Sequence, residues 1–223
     1  MKLSETTVEL LKNFAAINPN MVFKPGKSIT TMAEAKNIVA VATITEEIPS
    51  AFGIYDLTEF LSALSLVDEP ELDFTADSVV IKEGKTSIQY FYSAPELLTA
   101  PTKQVTMPKA DVTLNLSADV INKIKKAAAV LGHATLEING KNGEVTVNVA
   151  DQKNATANKY AIGVDDNNAC KDAFSFVMVI GNLKMLPGDY VVSISSKLIS
   201  HFKNATAPVE YFIALEKTST FGK

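Results

Sequence analysis

The stretch SAPELLTAPTKQVTMPK, from Ser93 to Lys109, decides how this chain is organised. Its prolines, Pro95, Pro101 and Pro108, lack the amide hydrogen that a helix or a central strand needs. Each proline also biases the preceding residue towards an extended conformation. The stretch is therefore predicted to be an extended connector and not a regular element.

The residues on the two sides of this connector follow the same plan. Each side opens with a short apolar strand and an amphipathic helix, continues with a hairpin that turns at glycine, and ends with a helix start and closing strands. We therefore predict an α+β protein with two similar β-rich domains, residues 1–92 and 110–223, joined by the connector 93–109.

Composition is that of a soluble globular protein. The chain has 223 residues, of which 47% are hydrophobic and 21% charged, and no run of 18 apolar residues that could span a membrane. The first residues, MKLSETTVELLKN, lack the apolar core of a signal peptide. The single cysteine, Cys170, is predicted to be a free thiol in the polar loop DDNNACKD, which fits a reducing cytosol.

Charge limits how this protein can meet nucleic acid. A net charge of −4 argues against binding with the whole surface but permits a basic strip. All 21 basic residues are lysines, and arginine is the usual bidentate reader of guanine. The composition therefore permits a partner bound without regard to sequence. Biased codon usage is the alternative explanation for the missing arginines.

The first half is predicted to contain two helices. Ser4 is a plausible N-cap for a helix that ends near Ile17, and Asp56 for a second helix that extends to about Leu66. The residues DEPELD that follow are predicted to be a solvated turn. The remaining elements are short strands around Pro25-Gly26, strands over 37–48 and 51–55, and a hairpin that turns at Glu83-Gly84-Lys85.

The second half carries the one clearly basic element. Ser117 is a plausible N-cap for a helix that ends at Gly132, and its three lysines against Asp119 give it a net charge of +2. Its predicted buried stripe consists of Val120, Ile121, Ile124, Ala127, Ala128 and Leu131. Spacing at 100° per residue places Asn122 and Lys126 opposite this stripe, with Lys123 and Lys125 on its flanks.

The rest of the second half is predicted to be mostly strands. A hairpin carries turn signals at Asn139-Gly140 and at Asn142-Gly143. Near the position that matches the second helix of the first half, Pro187-Gly188 shortens the helix to about one turn, with Lys184 on it. The segments 189–195 and 209–216 are the closing strands.

No motif of catalysis is present. The sequence lacks GxxxxGK[ST], GxGxxG, HExxH and paired CxxC, and His133 and His201 have no evident nucleophile as partner. We therefore predict no catalytic residue, no metal and no cofactor. An enzyme that uses carboxylates stays open as an alternative, as does a non-enzymatic structural or regulatory interaction module with a duplicated β-rich fold.

Several segments carry a resemblance to one family. They are MKLSETTVELLKNFAAIN, IYDLTEFLSALSLV, APELLTAPTKQVTMP, NLKMLPGDYVVSIS and VEYFIALE, and they are spread over most of the chain. With them the chain resembles the sliding clamps of T-even type tailed phages, the DNA polymerase processivity factors. The hairpins between these segments match in layout more than in letters.

This resemblance implies a homotrimeric ring of processivity-fold domains, with helices that line a central hole and antiparallel sheets outside. Such a ring encircles duplex DNA without sequence preference and tethers the replicative DNA polymerase. A clamp-loader ATPase opens and closes the ring, and late-transcription factors also bind it. The expected location is the cytoplasm of the infected bacterial host.

Three sets of site residues are expected on this basis. The DNA-facing set is Lys12, Asn122, Lys123, Lys125, Lys126 and Lys184. Pairing of strand edges between subunits is assigned to Ser87, Ile88, Tyr90, Tyr92, Tyr160, Ile162 and Val164. The pocket for partner peptides is assigned to Leu97, Leu98, Met107, Pro108 and Phe221. The respective alternatives are surface solubility, internal strands, and a linker packed on its own domain.

A closed ring also accounts for the acidic net charge. A ring cannot leave DNA sideways, so it needs only weak contacts, and strong phosphate contacts would impede sliding. Lysine point charges suit this task. The helix from Asp56 to Leu66 carries Asp56 and Glu59 but no lysine, so a uniformly positive hole is not expected.

Overall fold

The computed structural model describes residues 1–154, 156–164 and 170–222. The chain divides into two compact units, Met1–Gln104 and Val105–Lys223, and the division lies within the predicted connector. The first five residues of the polar loop that precedes Lys171 lie outside the described residues, whereas Cys170 is described and is a free cysteine.

The first unit contains two α-helices and seven strands within its described residues. The helices are α1 (Glu5–Ile17) and α2 (Leu57–Leu64). The strands are β1 (Met21–Phe23), β2 (Gly26–Met32), β3 (Ile38–Ile48), β4 (Phe52–Ile54), β5 (Glu71–Phe74), β6 (Ser78–Glu83) and β7 (Thr86–Phe91). All the pairs are antiparallel: β1 with β4, β2 with β3, and the order β5-β6-β7.

Apolar periodicity explains how α1 packs. Leu10, Leu11 and Phe14 recur on one face and are buried, and α1 contacts both α2 and β3. Ser4 caps the helix by accepting a hydrogen bond from the amide of Thr7. The predicted start and end of this helix are confirmed.

Asp56 caps α2 as predicted. Its carboxylate accepts hydrogen bonds from the amides of Thr58 (2.8 Å) and Glu59 (3.1 Å). The helix ends at Leu64, two residues before the predicted Leu66. The hairpin of β6 and β7 turns at Gly84-Lys85, where Gly84 has a φ of 55°.

The second unit contains one α-helix, α3 (Ala118–Leu131), among its described residues. Its strands are β8 (Val112–Leu116), β9 (Thr135–Lys141), β10 (Glu144–Ala150), β11 (Tyr160–Val164), β12 (Phe174–Val179), β13 (Tyr190–Ser195), β14 (Ile199–Asn204), β15 (Val209–Ala214) and β16 (Thr220–Phe221). They pair in the orders β8-β13-β14-β15 and β11-β10-β9-β12-β16.

Ser117 and Gly132 delimit α3 as predicted. Ser117 accepts a hydrogen bond from the amide of Val120, and Gly132 has a φ of 68°, the left-handed conformation that ends many helices. The carboxylate of Asp189 adds a second cap by accepting from the amide of Ala118 at 2.8 Å.

One of the two predicted turn signals is wrong. The β9–β10 hairpin turns at Asn142-Gly143, where both φ angles are positive (56° and 83°). Gly140 instead lies inside β9, under the ring of Phe174, where a β-carbon would come within 2.1 Å of that ring. Here glycine serves the close approach of a neighbouring side chain.

Two further strands depart from the sequence prediction. The residues predicted as a solvated acidic turn include strand β5, in which Leu72 is buried between the exposed Glu71 and Asp73. Strand β14 was not predicted as a strand of its own. Its Ser200 is fully buried and donates a hydrogen bond to the carbonyl of Ile213 at 2.8 Å, so a polar residue occupies a core position.

Candidate nucleic-acid interface and strand edges

The polar face of α3 is open to solvent within its unit. Ile121, Ile124 and Ala128 are buried, whereas Asn122, Lys123 and Lys126 on the other side are exposed. Val120, Ala127 and Leu131, predicted in the buried stripe, are half-buried.

The lysines of α3 differ in their surroundings. Lys123 pairs with Asp119 at 2.7 Å, and the hydrogen bond and charge of that carboxylate raise the pKa of Lys123. Lys125 is half-buried, and burial lowers the pKa of its amine. Within the described part of the chain Lys126 makes no ion pair, so it presents the full charge that a phosphate would meet.

Lys184 does not lie on the one-turn helix as predicted. The short 3-10 helix covers Ile180–Asn182, and Lys184 follows it on a segment without regular hydrogen bonding. The change arises because Leu183 and Met185 turn into the core and leave Lys184 exposed between them.

Lys12 is the one lysine on the helices of the first unit. It is exposed on α1, and a shallow groove beside it runs to α2. The groove is lined by Lys12, Ala15, Ala16, Thr58, Leu61, Ser62 and Ser65. Most residues that line this groove are alanines or carry hydroxyl groups. The start of α2 carries the acidic residues Asp56 and Glu59 and no lysine.

Charge is divided unevenly along the chain. Residues 1–104 hold eight lysines against fourteen carboxylates, a net of −6, and residues 105–223 hold thirteen lysines against eleven carboxylates, a net of +2. The basic helix thus belongs to the basic unit.

Strand β7, predicted to pair with a neighbour, lies at the edge of the β5-β6-β7 sheet. Its side chains alternate: Ser87, Gln89 and Phe91 are exposed, and the predicted Ile88 and Tyr90 are half-buried. Tyr90 packs on Phe60 and donates towards the backbone carbonyl of Asp56 at 3.1 Å, so its ring serves its own unit.

Tyr92, just beyond β7, is also engaged internally. Its ring stacks on Phe52 with a centroid separation of 4.7 Å, and its hydroxyl is buried without a hydrogen-bond partner among the described residues. Phe91, which the sequence analysis passed over, is 61% exposed. The alternation with polar Ser87 and Gln89 was the signal that Phe91 shares their solvent face.

Strand β11 lies at the edge of the β11-β10-β9-β12-β16 sheet. The predicted residues Tyr160, Ile162 and Val164 are half-buried, and Ala161 and Gly163 are exposed between them. A β-carbon at Gly163 would meet no atom within 4 Å, so the outer face of this edge is open and flat.

The predicted pocket residues are in different environments. Leu97, on a 3-10 helix over Pro95–Leu97, is 78% exposed. Leu98 packs over Gly53, where a β-carbon would come within 2.6 Å of its Cδ1 atom. Asn18 holds the next residue by donating to the carbonyl of Thr99 at 3.3 Å.

The remaining pocket residues belong to the second unit. Met107 and Pro108 are half-buried, and Phe221 lies on β16, which pairs with β12. The ring of Phe221 stacks on the buried Phe176 at 6.1 Å.

Metal-ligand clusters and membrane-spanning helices are both absent from the described residues. No group of three or more His, Cys, Asp or Glu side chains there could hold a metal ion. No helix in the same ranges is both long and apolar enough to cross a bilayer.

Family comparisons cover nearly the whole chain. Residues 2–103 match the family described as DNA polymerase processivity factor, and residues 113–217 match that described as gp45 sliding clamp, C terminal. A sliding clamp from Vibrio phage KVP40 is 34% identical over 222 residues, 97% of this chain and 99% of that protein. Sliding clamps from Escherichia phage RB69 and Enterobacteria phage T4 are each 31% identical and cover 99% of both chains.

Solved structures agree on the fold. Proliferating cellular nuclear antigen from Entamoeba histolytica matches with a TM-score of 0.70 at 16% identity, over 96% of this chain and 97% of that one. The H. pylori beta clamp matches with a TM-score of 0.70 at 14% identity, over 97% of this chain and 63% of that one. The predicted α+β fold of two clamp domains is confirmed.

Proposed function

The chain belongs to the family of phage sliding clamps, the DNA polymerase processivity factors, and from this membership we propose that three copies close into a ring that encircles duplex DNA and tethers a replicative polymerase. The observation that carries the proposal is the family match over both units, together with the sheet-edge positions of β7 in the first unit and β11 in the second. A chain that has a strand edge in each of its two units can join head to tail, and such contacts close into a ring when the rotation permits.

The ring is closed by β7 of one copy and β11 of the next. An edge strand offers a row of backbone donors and acceptors that a second edge satisfies. Phe91 supplies the apolar anchor, and the small Ala161 and Gly163 of the neighbouring copy leave space for its ring. The net charges of −6 and +2 favour contact between unlike units over contact between like ones.

DNA is held by enclosure and only lightly by charge. Lys123, Lys126 and Lys184 of the basic unit meet phosphates, with Asn122, Lys125 and Lys12 beside them. The pair between Lys123 and Asp119 weakens one of these contacts, which suits a protein that must slide. Because lysine is a flexible point charge, these contacts carry no base preference.

Partner proteins bind through the connector. The exposed Leu97 is the proposed anchor on the first unit, with Leu98 as its support, and Met107, Pro108 and Phe221 are the proposed contacts on the second unit. The partners are the phage DNA polymerase, a clamp-loader ATPase and late-transcription factors. The protein performs no catalysis, and it acts in the cytoplasm of the infected bacterial host.

Two measurements test the ring. Sedimentation or light scattering should give a mass of three times 24.0 kDa, in exchange with single chains. After loading, the protein should stay on nicked circular DNA and should leave once the circle is cut. A monomer that binds its partner without a loader would instead indicate an interaction module, and a complex that survives linearisation would exclude topological binding.

A further inference from the structure

The segment Leu183–Gly188 lies where the first unit has helix α2. A helix would satisfy its own backbone groups, but Pro187 has no amide hydrogen and disfavours a helical conformation at Leu186. The backbone amide and carbonyl of Leu186 therefore need partners from elsewhere in the unit.

Two buried tyrosines supply these partners. The amide of Leu186 donates to the hydroxyl oxygen of Tyr211 at 3.1 Å, and the hydroxyl of Tyr190 donates to the carbonyl of Leu186 at 2.6 Å. The rings contact each other edge to face with centroids 6.1 Å apart, and their exposed fractions are 0% and 2%.

The two hydroxyls also interact with each other. Burial raises the pKa of both; a hydrogen bond with Tyr211 works to lower that of Tyr190, and one with Tyr190 works to raise that of Tyr211. The geometry shows that the two tyrosine hydroxyls together satisfy both backbone groups of Leu186.

The two hydrogen bonds at Leu186 lie two residues from Lys184. Leu183 and Met185 are buried on the two sides of Lys184, and Leu186 is fixed by its amide and its carbonyl. On the far side, Gly188 approaches Asn204 so closely that a β-carbon would be 2.7 Å from its Nδ2 atom. The exit direction of the Lys184 side chain is thereby set by core contacts.

We propose that Tyr190 and Tyr211 are positioning residues that hold the Leu183–Gly188 segment so that Lys184 meets a DNA phosphate. The proposal rests on the DNA-facing role given to Lys184 above.

The first test follows the backbone and needs no DNA. In Tyr211→Phe the Leu186 amide loses its acceptor, and its hydrogen exchange, measured by NMR on the full chain, should be at least about tenfold faster. Amides of β13 should keep their protection. Tyr92→Phe is the matched control for exchange, because the buried Tyr92 hydroxyl has no partner among the described residues. Unchanged exchange at Leu186 would overturn the proposal.

The second test follows DNA. Affinity for a short duplex is measured against salt concentration for the native protein, Tyr211→Phe, Lys184→Ala and the double variant. Each lost phosphate contact should reduce the salt slope by about 0.9. We expect Tyr211→Phe to reduce the slope when Lys184 is present and to have no effect when it is absent.

The outcomes separate the two proposals. If Tyr211→Phe has the same effect with and without Lys184, the tyrosine acts on stability alone and the positioning role is wrong. If Lys184→Ala leaves the slope unchanged, Lys184 meets no phosphate and the positioning role again fails. Retention on circular DNA is measured separately, so the ring itself can still stand. Tyr190→Phe removes the donor to the Leu186 carbonyl and repeats the test should Tyr211→Phe not fold.

Discussion

The amine of Lys123 lies 2.7 Å from a carboxylate oxygen of Asp119, one turn earlier on α3. Both groups are more than half exposed, so the pair adds little to stability. Its larger effect is to cancel charge on the face that we assign to DNA. Asp119→Asn should therefore raise affinity for a short duplex at low salt by about two- to fivefold per contact.

The control for this variant is Glu144→Gln, which removes one negative charge from the β9–β10 hairpin of the same unit. Its affinity for the duplex should stay close to that of the native protein. If both variants bind DNA more tightly to the same extent, total charge and not the pair on α3 governs the effect.

Charge reversal on α3 should weaken DNA binding. Lys126→Glu removes an exposed cation and adds repulsion, so both the affinity for a duplex and its salt slope should fall. The same change with Lys123→Glu should impair loading and DNA-dependent stimulation of the polymerase, without a change in melting temperature. Lys203→Glu is the matched control, since Lys203 is exposed on strand β14. Equal losses in the control would remove α3 from the DNA site.

Acid should destabilise the first unit through Glu46. Burial opposes the ionisation of this carboxylate, but hydrogen bonds from the Thr7 hydroxyl and the Ser4 backbone outweigh burial and lower the pKa to about 2. The folded-state pKa is thus below the ordinary value of 4.5. The stabilisation is complete above the ordinary pKa and is lost as pH falls through the range down to about 2.

We expect Glu46→Gln to lower the free energy of unfolding at neutral pH by about 1–2 kcal/mol, a figure that allows for solvent screening. The difference from the native protein should shrink steadily in denaturant titrations below pH 4.5. Glu47→Gln, on the exposed neighbouring residue, should have little effect at any pH. A loss in Glu46→Gln that is independent of pH would contradict the hydrogen-bond origin of the effect.

The proposed subunit contact depends on Phe91 and on the open face at Gly163. Phe91→Ala should weaken trimer formation by about 1–3 kcal/mol, which raises the dissociation constant about tenfold or more. Gly163→Leu should weaken it as well, because the added side chain occupies the space proposed for the ring. Leu66→Ala, a similar loss at an exposed apolar residue of the same unit, should leave the mass unchanged in dilution experiments. A stable trimer in both edge variants would assign the interface to other strands.

Two adjacent leucines of the connector should behave in opposite ways. Leu98→Ala opens space above Gly53, so it should lower the melting temperature of the first unit. Leu97→Ala removes a side chain that is 78% exposed and should leave stability unchanged. If Leu97 anchors partners, a fluorescent peptide from the polymerase terminus should bind more weakly to Leu97→Ala. A stability loss at Leu97 would place it in the core instead.

The helices could be predicted from sequence because their signals are local. Ser4, Asp56 and Ser117 cap them with their own side chains, and Gly132 ends α3 in a conformation that glycine adopts readily. The apolar spacing then identifies which face is buried, and the exposed position of Lys126 follows from the same spacing.

The misplaced elements depend on contacts from distant residues. Gly140 was predicted in a turn because Asn-Gly is a common turn sequence. Glycine is required there because the Phe174 ring of a neighbouring strand leaves no space for a β-carbon. Strand β14 was missed because the polar Ser200 occupies one of its buried positions. The hydroxyl of Ser200 can be buried there because it donates to the carbonyl of Ile213 on β15. Lys184 lies outside the short helix in which it was predicted, and the nearby backbone of Leu186 is held by Tyr190 and Tyr211. Phe174, Ile213 and Tyr211 are too far along the chain from the residues that they contact for a local pattern to include them.

Side-chain direction on the edge strands was likewise only half predictable. The alternation of β7 was visible, but which set faced the core depended on Phe60 and Phe52, which contact Tyr90 and Tyr92. The predicted edge position of each strand agrees with the sheet order. The side chain best placed for a neighbour is Phe91, which the prediction omitted.

The carboxylates of Glu46, on β3, and of Asp189, just before β13, accept hydrogen bonds from residues in the first turns of α1 and α3. A helix whose first turn is held in this way cannot rotate about its long axis without losing charge-assisted hydrogen bonds. The direction in which each α3 side chain points is thus fixed relative to the backbone that carries Asp189. Removing the Asp189 carboxylate should let the Lys126 side chain point in a wider range of directions, even though Asp189 lies at the other end of the helix.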